Sequence, residues 1–372
     1  MMGTDYLNAK IHKFEPYSPT GAIDLNKIEI RLDANESFFC LPGYIVEDIQ
    51  NSVKSINFNR YPDPAASGLI KKYSEFLKFS ENAEVETKNI AAGNGSDELL
   101  NILINAFLSK GDKVLTFAPD FSMYAFYGEV IEAEVIKIQK SGADGFAIDF
   151  DEIAKKVNRE KIKLVVFSNP CNPTGQLVQK RVLEKFIRGV GCAVVLDEVY
   201  MSFADDKKEQ SFVHDFLEYP NLTVMKSLSK AVGLAGIRVG FALSNEKIIN
   251  AVKTLKSPFN LNAVSQEIAG AVLDYPDYLS KCLEKIKKNK KELHKSLETL
   301  LGGRGGYTVH ETQTNFALVE TDKAKEIFEF LLESKILVRN IGGRFLRITA
   351  GNENENEKLV KCLEGFDFGK VL

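Results

Sequence analysis

The sequence reads Ser227-Leu228-Ser229-Lys230-Ala231-Val232-Gly233-Leu234-Ala235-Gly236-Ile237-Arg238-Val239-Gly240 directly after a predicted strand, Leu222–Lys226. This stretch is rich in small residues, which let a backbone approach a ligand closely. Its hydroxyls and arginine can bind a phosphate, and a lysine amine can condense with an aldehyde. Taken alone, the stretch also fits an exposed glycine-rich turn without a function.

Short β-branched runs alternate with apolar patterns of helical period on both sides of this stretch. The helical patterns include Glu98–Leu108 and Gln179–Val190. Such alternation predicts right-handed crossovers and a mainly parallel sheet with helices on both faces, where ligands bind beyond the carboxyl ends of the strands. The predicted strands are Lys113–Phe117, Glu132–Ile138, Lys163–Ser168, Ala193–Leu196, Leu222–Lys226 and Ile237–Leu243.

The character of the sequence changes after about Pro258. A charge-rich helical stretch runs from Ser265 to Leu301, interrupted near Pro276, and a short α+β segment follows. A chain of 372 residues favours two domains. We therefore expect an α/β fold with a large domain, 39–262, and a smaller α+β domain formed by an N-terminal arm, 1–38, and by 263–372.

Composition excludes several classes of partner. The formal net charge is -3 and the sequence pI is near 6.0, which gives no electrostatic reason to expect nucleic acid or an anionic membrane. The sequence has no signal-peptide character and no apolar run of membrane-spanning length. Five widely spaced cysteines fit reduced thiols in the cytoplasm, with neither a disulfide framework nor a metal site.

Two upstream segments carry further polar groups at predicted strand ends. Ser168-Asn169-Pro170-Cys171-Asn172-Pro173-Thr174-Gly175 follows one strand, and Val194-Val195-Leu196-Asp197-Glu198-Val199-Tyr200 contains the end of the next. Residues before proline avoid the helical region, so both asparagines are expected to be extended. Each segment alone could equally be an ordinary turn or a helix cap.

A third segment, Ala92-Gly93-Asn94-Gly95-Ser96-Asp97-Glu98, stands just before an amphipathic helical run. Glycines followed by Ser and Asp place free backbone N–H groups and the positive end of a helix at one spot. This geometry favours an anion site, although an ordinary capped helix start has the same pattern.

In this order and at these spacings, the motifs resemble those of the fold-type I pyridoxal-phosphate enzymes, specifically the class I/II aminotransferases. The resemblance implies that Lys230 holds pyridoxal 5'-phosphate as an internal aldimine and transfers the substrate's α-proton. Asp197 would pair with the pyridine nitrogen, and Asn172 and Tyr200 would bind the phenolic oxygen. Phe121 would stack on the ring, and the phosphate would be held by Gly95, Ser96, Asp97, Ser227, Ser229 and Arg238.

Outside these motifs stand Glu15-Pro16-Tyr17, Asp33-Ala34-Asn35-Glu36, Arg60-Tyr61-Pro62-Asp63-Pro64, Arg339 and Phe345-Leu346-Arg347-Ile348-Thr349. These segments resemble those of the histidinol-phosphate aminotransferase family. This narrower resemblance implies transamination between L-histidinol phosphate and 2-oxoglutarate, in histidine biosynthesis. It also implies a homodimer in which Tyr61 reaches the partner's cofactor phosphate. The implied substrate contacts are Tyr17, Asn35, Arg339 and Arg347.

Other functions stay open at this point. Within pyridoxal-phosphate chemistry, the alternatives are a threonine-phosphate decarboxylase and an aromatic-amino-acid aminotransferase. Outside it, the fold could serve as a non-catalytic ligand-binding module, but the loss of Lys230 or Asp197 expected for such a module is not seen.

Overall fold

The computed structural model describes residues 6–16 and 23–368, and within them the strands form two sheets and a separate strand pair. The strands are β1 Ile30–Arg31, β2 Ile90–Gly93, β3 Lys113–Ala118, β4 Glu134–Gln139, β5 Leu164–Ser168, β6 Ala193–Asp197, β7 Leu222–Ser227, β8 Gly240–Leu243, β9 Tyr307–His310, β10 Phe316–Thr321, β11 Ile336–Leu337, β12 Arg339–Ile341 and β13 Phe345–Thr349.

The helices largely follow the apolar periodicity of the sequence. They are α1 Gly43–Lys54, α2 Ser67–Ser80, α3 Ser96–Phe107, α4 Met123–Val130, α5 Phe150–Glu160, α6 Lys180–Gly189, α7 Lys207–Gln210, α8 Glu246–Leu255, α9 Ala263–Leu273, α10 Pro276–Leu301, α11 Ala324–Glu333 and α12 Glu353–Glu364. Pro276 lies in the first turn of α10, where its missing N–H costs no hydrogen bond. The predicted interruption of the long helical stretch is therefore confirmed.

The larger sheet has the strand order β2-β8-β7-β6-β5-β3-β4. The pairings among β7, β6, β5, β3 and β4 are parallel, and β8 is antiparallel to both of its neighbours. Along β5, Leu164 and Val166 pack into one apolar cluster, while Val165 and Phe167 pack into another. Both faces of this strand are thus buried under helices, as a parallel sheet requires.

The second sheet is antiparallel, with the order β12-β13-β10-β9. A separate apolar cluster covers it and includes residues of α10, α11 and α12. The short strand β1 pairs in parallel with β11, so the N-terminal part of the chain packs beside C-terminal elements. The α/β fold class with a smaller α+β part is confirmed, while the limits 1–38, 39–262 and 263–372 stay a prediction.

Three details of the predicted strands were wrong. The strand predicted from Ile237 begins at Gly240, because Ala235–Ile237 forms a 3₁₀ turn and Arg238 has a left-handed φ of 56°. The strand predicted from Glu132 begins at Glu134, and Glu132 also has a positive φ. Strand β2 was not predicted, because four small or apolar residues give no periodic signal.

Candidate active site

The parallel strands of the larger sheet bring three of the predicted motifs to one edge. Ser168 at the end of β5 is paired in register with Asp197 at the end of β6. Strand β7 continues the parallel series and ends at Ser227, just before Lys230. The carboxyl ends of these three strands therefore surround a common site, as expected for ligand binding in such sheets.

Lys230 is the amine at the centre of this site. Its Nζ donates a hydrogen bond to the backbone oxygen of Ala34 at 2.8 Å. Burial, and next the positive charge of Arg347, lower the pKa of Lys230 to about 8, against the opposing effect of Glu36. With this pKa, about a tenth of the amine is neutral, and therefore nucleophilic, at pH 7.

Asp197 is a buried carboxylate on the same edge of the sheet. Its Oδ2 accepts a hydrogen bond from the Tyr124 hydroxyl at 2.7 Å, and its Oδ1 accepts one from the backbone N–H of Val199 at 3.0 Å. Burial raises the pKa of Asp197 to about 6, although the Tyr124 hydrogen bond works in the opposite direction. A cationic partner would stabilise the charged form of this carboxylate.

Tyr200 lies three residues after Asp197 and is also buried. Its hydroxyl oxygen accepts a hydrogen bond from Asn35 Nδ2 at 2.8 Å. Asn35 is in turn held by Thr349, whose Oγ1 accepts from the Asn35 backbone N–H at 2.9 Å. Burial raises the pKa of Tyr200, so its hydroxyl stays protonated near neutral pH.

The glycine-rich segment and the lysine segment form an anion-binding cradle. Gly95 precedes α3 with a φ of 83°, and a Cβ atom there would lie 2.5 Å from Arg238 Nη2. Arg238 Nη2 also lies 3.5 Å from Asp97 Oδ2, while its Nη1 lies 3.4 Å from Ser229 Oγ. The serine hydroxyls and the arginine therefore converge on the positive end of a helix.

Ser227 and Ser96 complete the cradle. Ser227 Oγ accepts a hydrogen bond from the backbone N–H of Ser229 at 3.1 Å. The backbone of β8 lies so close to α3 that a Cβ atom on Gly240 would be 2.4 Å from the Ser96 nitrogen. Glycine is thus required where β8 passes the first turn of the helix.

Arg347 connects the second sheet to the site. Its Nη1 donates to Asn172 Oδ1 at 2.6 Å, and its Nη2 donates to the backbone oxygen of Asp33 at 2.6 Å. Its guanidinium carbon also lies 5.5 Å from the ring centroid of Phe316. This contact joins β13 to the turn that follows β5.

The other predicted site residues have different surroundings. Arg339 is the register partner of Arg347 on the neighbouring strand, so the two side chains are on the same face. Phe121 packs edge to face with Tyr124, at a centroid distance of 5.5 Å. Tyr61 is 81% exposed and stacks on Phe259, apart from the other groups. Tyr17 lies outside the described residues.

Tyr124 is a functional candidate that is not among the site residues predicted from the sequence. The sequence does carry a signal for it, because Tyr124 lies only three residues after Phe121, which is a predicted site residue.

A partly buried carboxylate nearby, Asp120, accepts a hydrogen bond from Ser168 Oγ. Lys140 Nζ donates to Cys171 Sγ at 3.0 Å beside it. These long-range contacts had no sequence signal.

Comparisons with known proteins show the family of the chain. The model of the family "Aminotransferase class I and II" matches residues 23–363. A histidinol-phosphate aminotransferase from Clostridium kluyveri is 38% identical over 357 residues, which cover 95% of this chain and 96% of the relative. The corresponding protein from Clostridium novyi is 38% identical over 362 residues and 96% of each chain.

Solved structures show the same fold. The crystal structure of histidinol-phosphate aminotransferase from Sinorhizobium meliloti, in complex with pyridoxal 5'-phosphate, matches with a TM-score of 0.85 and 22% identity over 97% of each chain. A Thermus thermophilus aspartate aminotransferase variant matches with a TM-score of 0.79 and 20% identity over 98% of this chain and 99% of the other.

The fold is that of the fold-type I pyridoxal-phosphate enzymes. Within that class, the chain belongs to the class I and II aminotransferase family, whose members are pyridoxal-phosphate-dependent transaminases. No helix among the described residues is long and apolar enough to cross a membrane.

Proposed function

We propose that this protein transfers the amino group of L-histidinol phosphate to 2-oxoglutarate, giving imidazole acetol phosphate and glutamate, in histidine biosynthesis. The observation that carries the catalytic part is the convergence of Lys230, Asp197 and the Arg238 cradle at one sheet edge. The choice of substrate rests on the name shared by relatives that are 38% identical over nearly the whole chain.

The residues of the site fit pyridoxal 5'-phosphate. The cofactor carries an anionic phosphate, a pyridine nitrogen and an aldehyde, and the site offers a complementary group for each. The cradle of Gly95, Ser96, Asp97, Ser227, Ser229 and Arg238 would hold the phosphate. Asp197 would hold the protonated pyridine nitrogen, which supplies the cation that this buried carboxylate lacks among its hydrogen-bond partners. Lys230 would be the covalent anchor.

When bound, the cofactor supplies an electron sink for the bond at the substrate's α-carbon. Lys230 would remove the proton from that carbon and would then donate a proton to the cofactor carbon at the other end of the transfer, which requires an amine with a lowered pKa. Asn172 and Tyr200 would hold the phenolic side of the ring, and Phe121 would stack on it. Tyr124 keeps the carboxylate of Asp197 in place.

The substrates share an anionic end that a guanidinium can bind. Histidinol phosphate offers a phosphate and 2-oxoglutarate a carboxylate, and both accept paired hydrogen bonds from arginine. Arg347 is the proposed clamp, with Arg339 beside it on the same face of the sheet. Asn35 and Tyr17 are the further proposed substrate contacts.

We also propose a cytoplasmic homodimer. Tyr61 and Phe259 form an exposed aromatic pair, with ring centroids 4.4 Å apart, and such a pair suits a protein interface. In this proposal, Tyr61 reaches the cofactor phosphate of the partner subunit. The cysteines among the described residues are free thiols, which suits a reducing compartment.

The test of this function is a half-reaction followed by absorbance. Adding L-histidinol phosphate to the cofactor-loaded protein should remove the visible cofactor band, and adding 2-oxoglutarate should restore it. Phenylalanine and threonine phosphate serve as comparison substrates. Carbon dioxide release from threonine phosphate, without a spectral response to histidinol phosphate, would refute the proposed reaction. A response only to phenylalanine would refute the proposed substrate.

A further inference from the structure

A histidine and two glutamates come together outside the candidate active site. His294 and Glu298 lie four residues apart on α10, so they share one face of the helix. Glu311 directly follows β9. One potential metal-ligating atom from each of these residues lies within 4.8 Å of the others.

The hydrogen bonding of His294 determines which ring nitrogen faces the two carboxylates. Its Nε2 lies 3.1 Å from the backbone oxygen of His310, and a carbonyl oxygen can only accept, so Nε2 carries a proton. The other nitrogen, Nδ1, lies 3.8 Å from Glu298 Oε2. The His294 side chain is only 11% exposed. A histidine that binds a metal typically donates its second N–H to a backbone carbonyl in this way.

We propose that His294, Glu298 and Glu311 bind a divalent transition-metal ion such as Zn²⁺. One imidazole nitrogen and two carboxylate oxygens are ligand types that suit Zn²⁺ and Co²⁺. The two glutamates are exposed, so water can complete the coordination shell.

Lys290 lies one helical turn before His294 on α10, and its charge interacts with that of Glu311. Its Nζ donates a hydrogen bond to the backbone oxygen of Thr312 at 2.9 Å, and the lysine side chain is buried. The two carboxylates of the cluster attract a divalent cation.

A metal ion at this location would affect how α10 is held against neighbouring segments. After Glu311, the backbone N–H of Gln313 donates to the Gly175 oxygen at 2.9 Å. Gly175 closes the turn that contains Asn172. A bound ion would therefore fasten α10 to the segment that packs against a turn of the proposed active site.

Calorimetric titration with Zn²⁺ tests the site, using the cofactor-loaded protein after chelator treatment and dialysis. A Cys40→Ser background removes the exposed thiol, which could bind Zn²⁺ by itself. One equivalent of Zn²⁺ should bind, and Glu298→Gln and Glu311→Gln should each weaken binding by about tenfold or more. The matched control is Glu292→Gln, an exposed glutamate on the same helix, which should bind Zn²⁺ unchanged.

Co²⁺ provides a spectroscopic readout that does not depend on enzyme activity. Its visible ligand-field band should appear in the Cys40→Ser protein and in the Glu292→Gln control, and it should be lost in Glu298→Gln. Equal Zn²⁺ affinity in all variants would overturn the proposal. The absence of stoichiometric binding would also overturn it.

Discussion

Arg347 donates a hydrogen bond from Nη1 to Asn172 Oδ1 at 2.6 Å. One residue lies on a strand of the smaller sheet, and the other lies in the turn that follows β5 of the larger sheet. The proposed substrate clamp and a proposed cofactor contact are therefore in direct contact. A movement of one of these side chains will therefore change the position of the other.

Replacing Arg347 tests the clamp. Arg347→Lys keeps the charge but removes the planar pair of donors, so the KM values for histidinol phosphate and 2-oxoglutarate should both rise by roughly tenfold. Steady-state kinetics with each substrate varied in turn measures this. Arg344→Lys is the matched control, because Arg344 is exposed and pairs with Glu320. A KM rise of the same size in both variants would argue against a specific clamp.

Replacing Lys230 tests the proposed base and anchor. Lys230→Ala should reduce kcat by about 10²–10⁴-fold or more, since both proton transfer and cofactor attachment are lost. The visible absorbance of the attached cofactor should disappear while the circular dichroism spectrum is unchanged. Lys253→Ala, on α8, is the control and should keep both activity and absorbance. An unchanged visible spectrum in Lys230→Ala would refute the assignment.

The pKa of Lys230, lowered to about 8, predicts how the cofactor-free protein takes up its cofactor with pH. Only the neutral amine attacks the aldehyde, so the uptake rate should fall about tenfold for each pH unit below 8 and level off above it. Stopped-flow absorbance across pH 6 to 9.5 measures this rate.

The same shift predicts a change in stability. The folded-state pKa lies below the 10.5 of the unfolded chain, so ionisation is disfavoured by folding. The stability of the cofactor-free protein should therefore gain a contribution from Lys230 as pH rises from about 8 towards 10.5. Lys230→Ala should lack this contribution, and an identical pH dependence in the variant would contradict the buried amine.

Asp197 should destabilise the cofactor-free protein at neutral pH and stabilise the loaded one. The pKa of Asp197 is about 6 in the folded protein and 3.8 in the unfolded chain, so folding favours the protonated carboxyl. Its contribution to stability is therefore complete below pH 3.8 and is lost as the pH rises through about 6. Asp197→Asn should then raise the free energy of unfolding of the cofactor-free protein at pH 8 by about 2–3 kcal/mol. It should also weaken cofactor binding by about 10–100-fold.

Chemical denaturation with and without cofactor measures both effects. Asp205→Asn is the control, and its free energy of unfolding should change in the opposite direction, because the hydrogen bond from Lys291 lowers the pKa of Asp205. That variant should lose stability at pH 8 and keep its cofactor affinity. A loss of stability in cofactor-free Asp197→Asn would contradict the proposed cost of the buried carboxylate.

Tyr124 should tune Asp197 without touching the substrate. Its hydrogen bond lowers the pKa of Asp197, so Tyr124→Phe should raise that pKa and weaken cofactor binding by up to about tenfold. The effect should be larger at pH 6 than at pH 8, where the carboxylate is ionised in both proteins. Cofactor titrations at both pH values measure this, and Tyr127→Phe on the same helix is the control. An equal loss at both pH values would indicate a packing effect.

Much of the larger sheet could be predicted from the sequence. Strands such as Leu164–Ser168 are nearly continuous apolar runs, and helices between them carry a clear period. The motifs at the strand ends were readable because each is a contiguous set of residues. Lys230, Asp197 and Asn172 then meet because parallel strands end at the same edge.

The course of the chain near Arg238 could not be predicted from propensity. Apolar residues around Ile237 suggested a strand, but the chain forms a 3₁₀ turn and a left-handed residue there. That conformation directs the guanidinium towards Ser229 and Asp97. A local apolar pattern is overridden where the backbone must bring a charged group to the anion site.

The sequence alone determined which residue types stand at the strand ends, because period and motif spacing are local properties of the chain. Tertiary structure decided which of them touch, because those contacts join distant segments. The Tyr124–Asp197 hydrogen bond spans 73 positions, and the Arg347–Asn172 bond spans 175. The lowered pKa of Lys230 likewise follows from burial and from Arg347, which no pattern around the lysine contains.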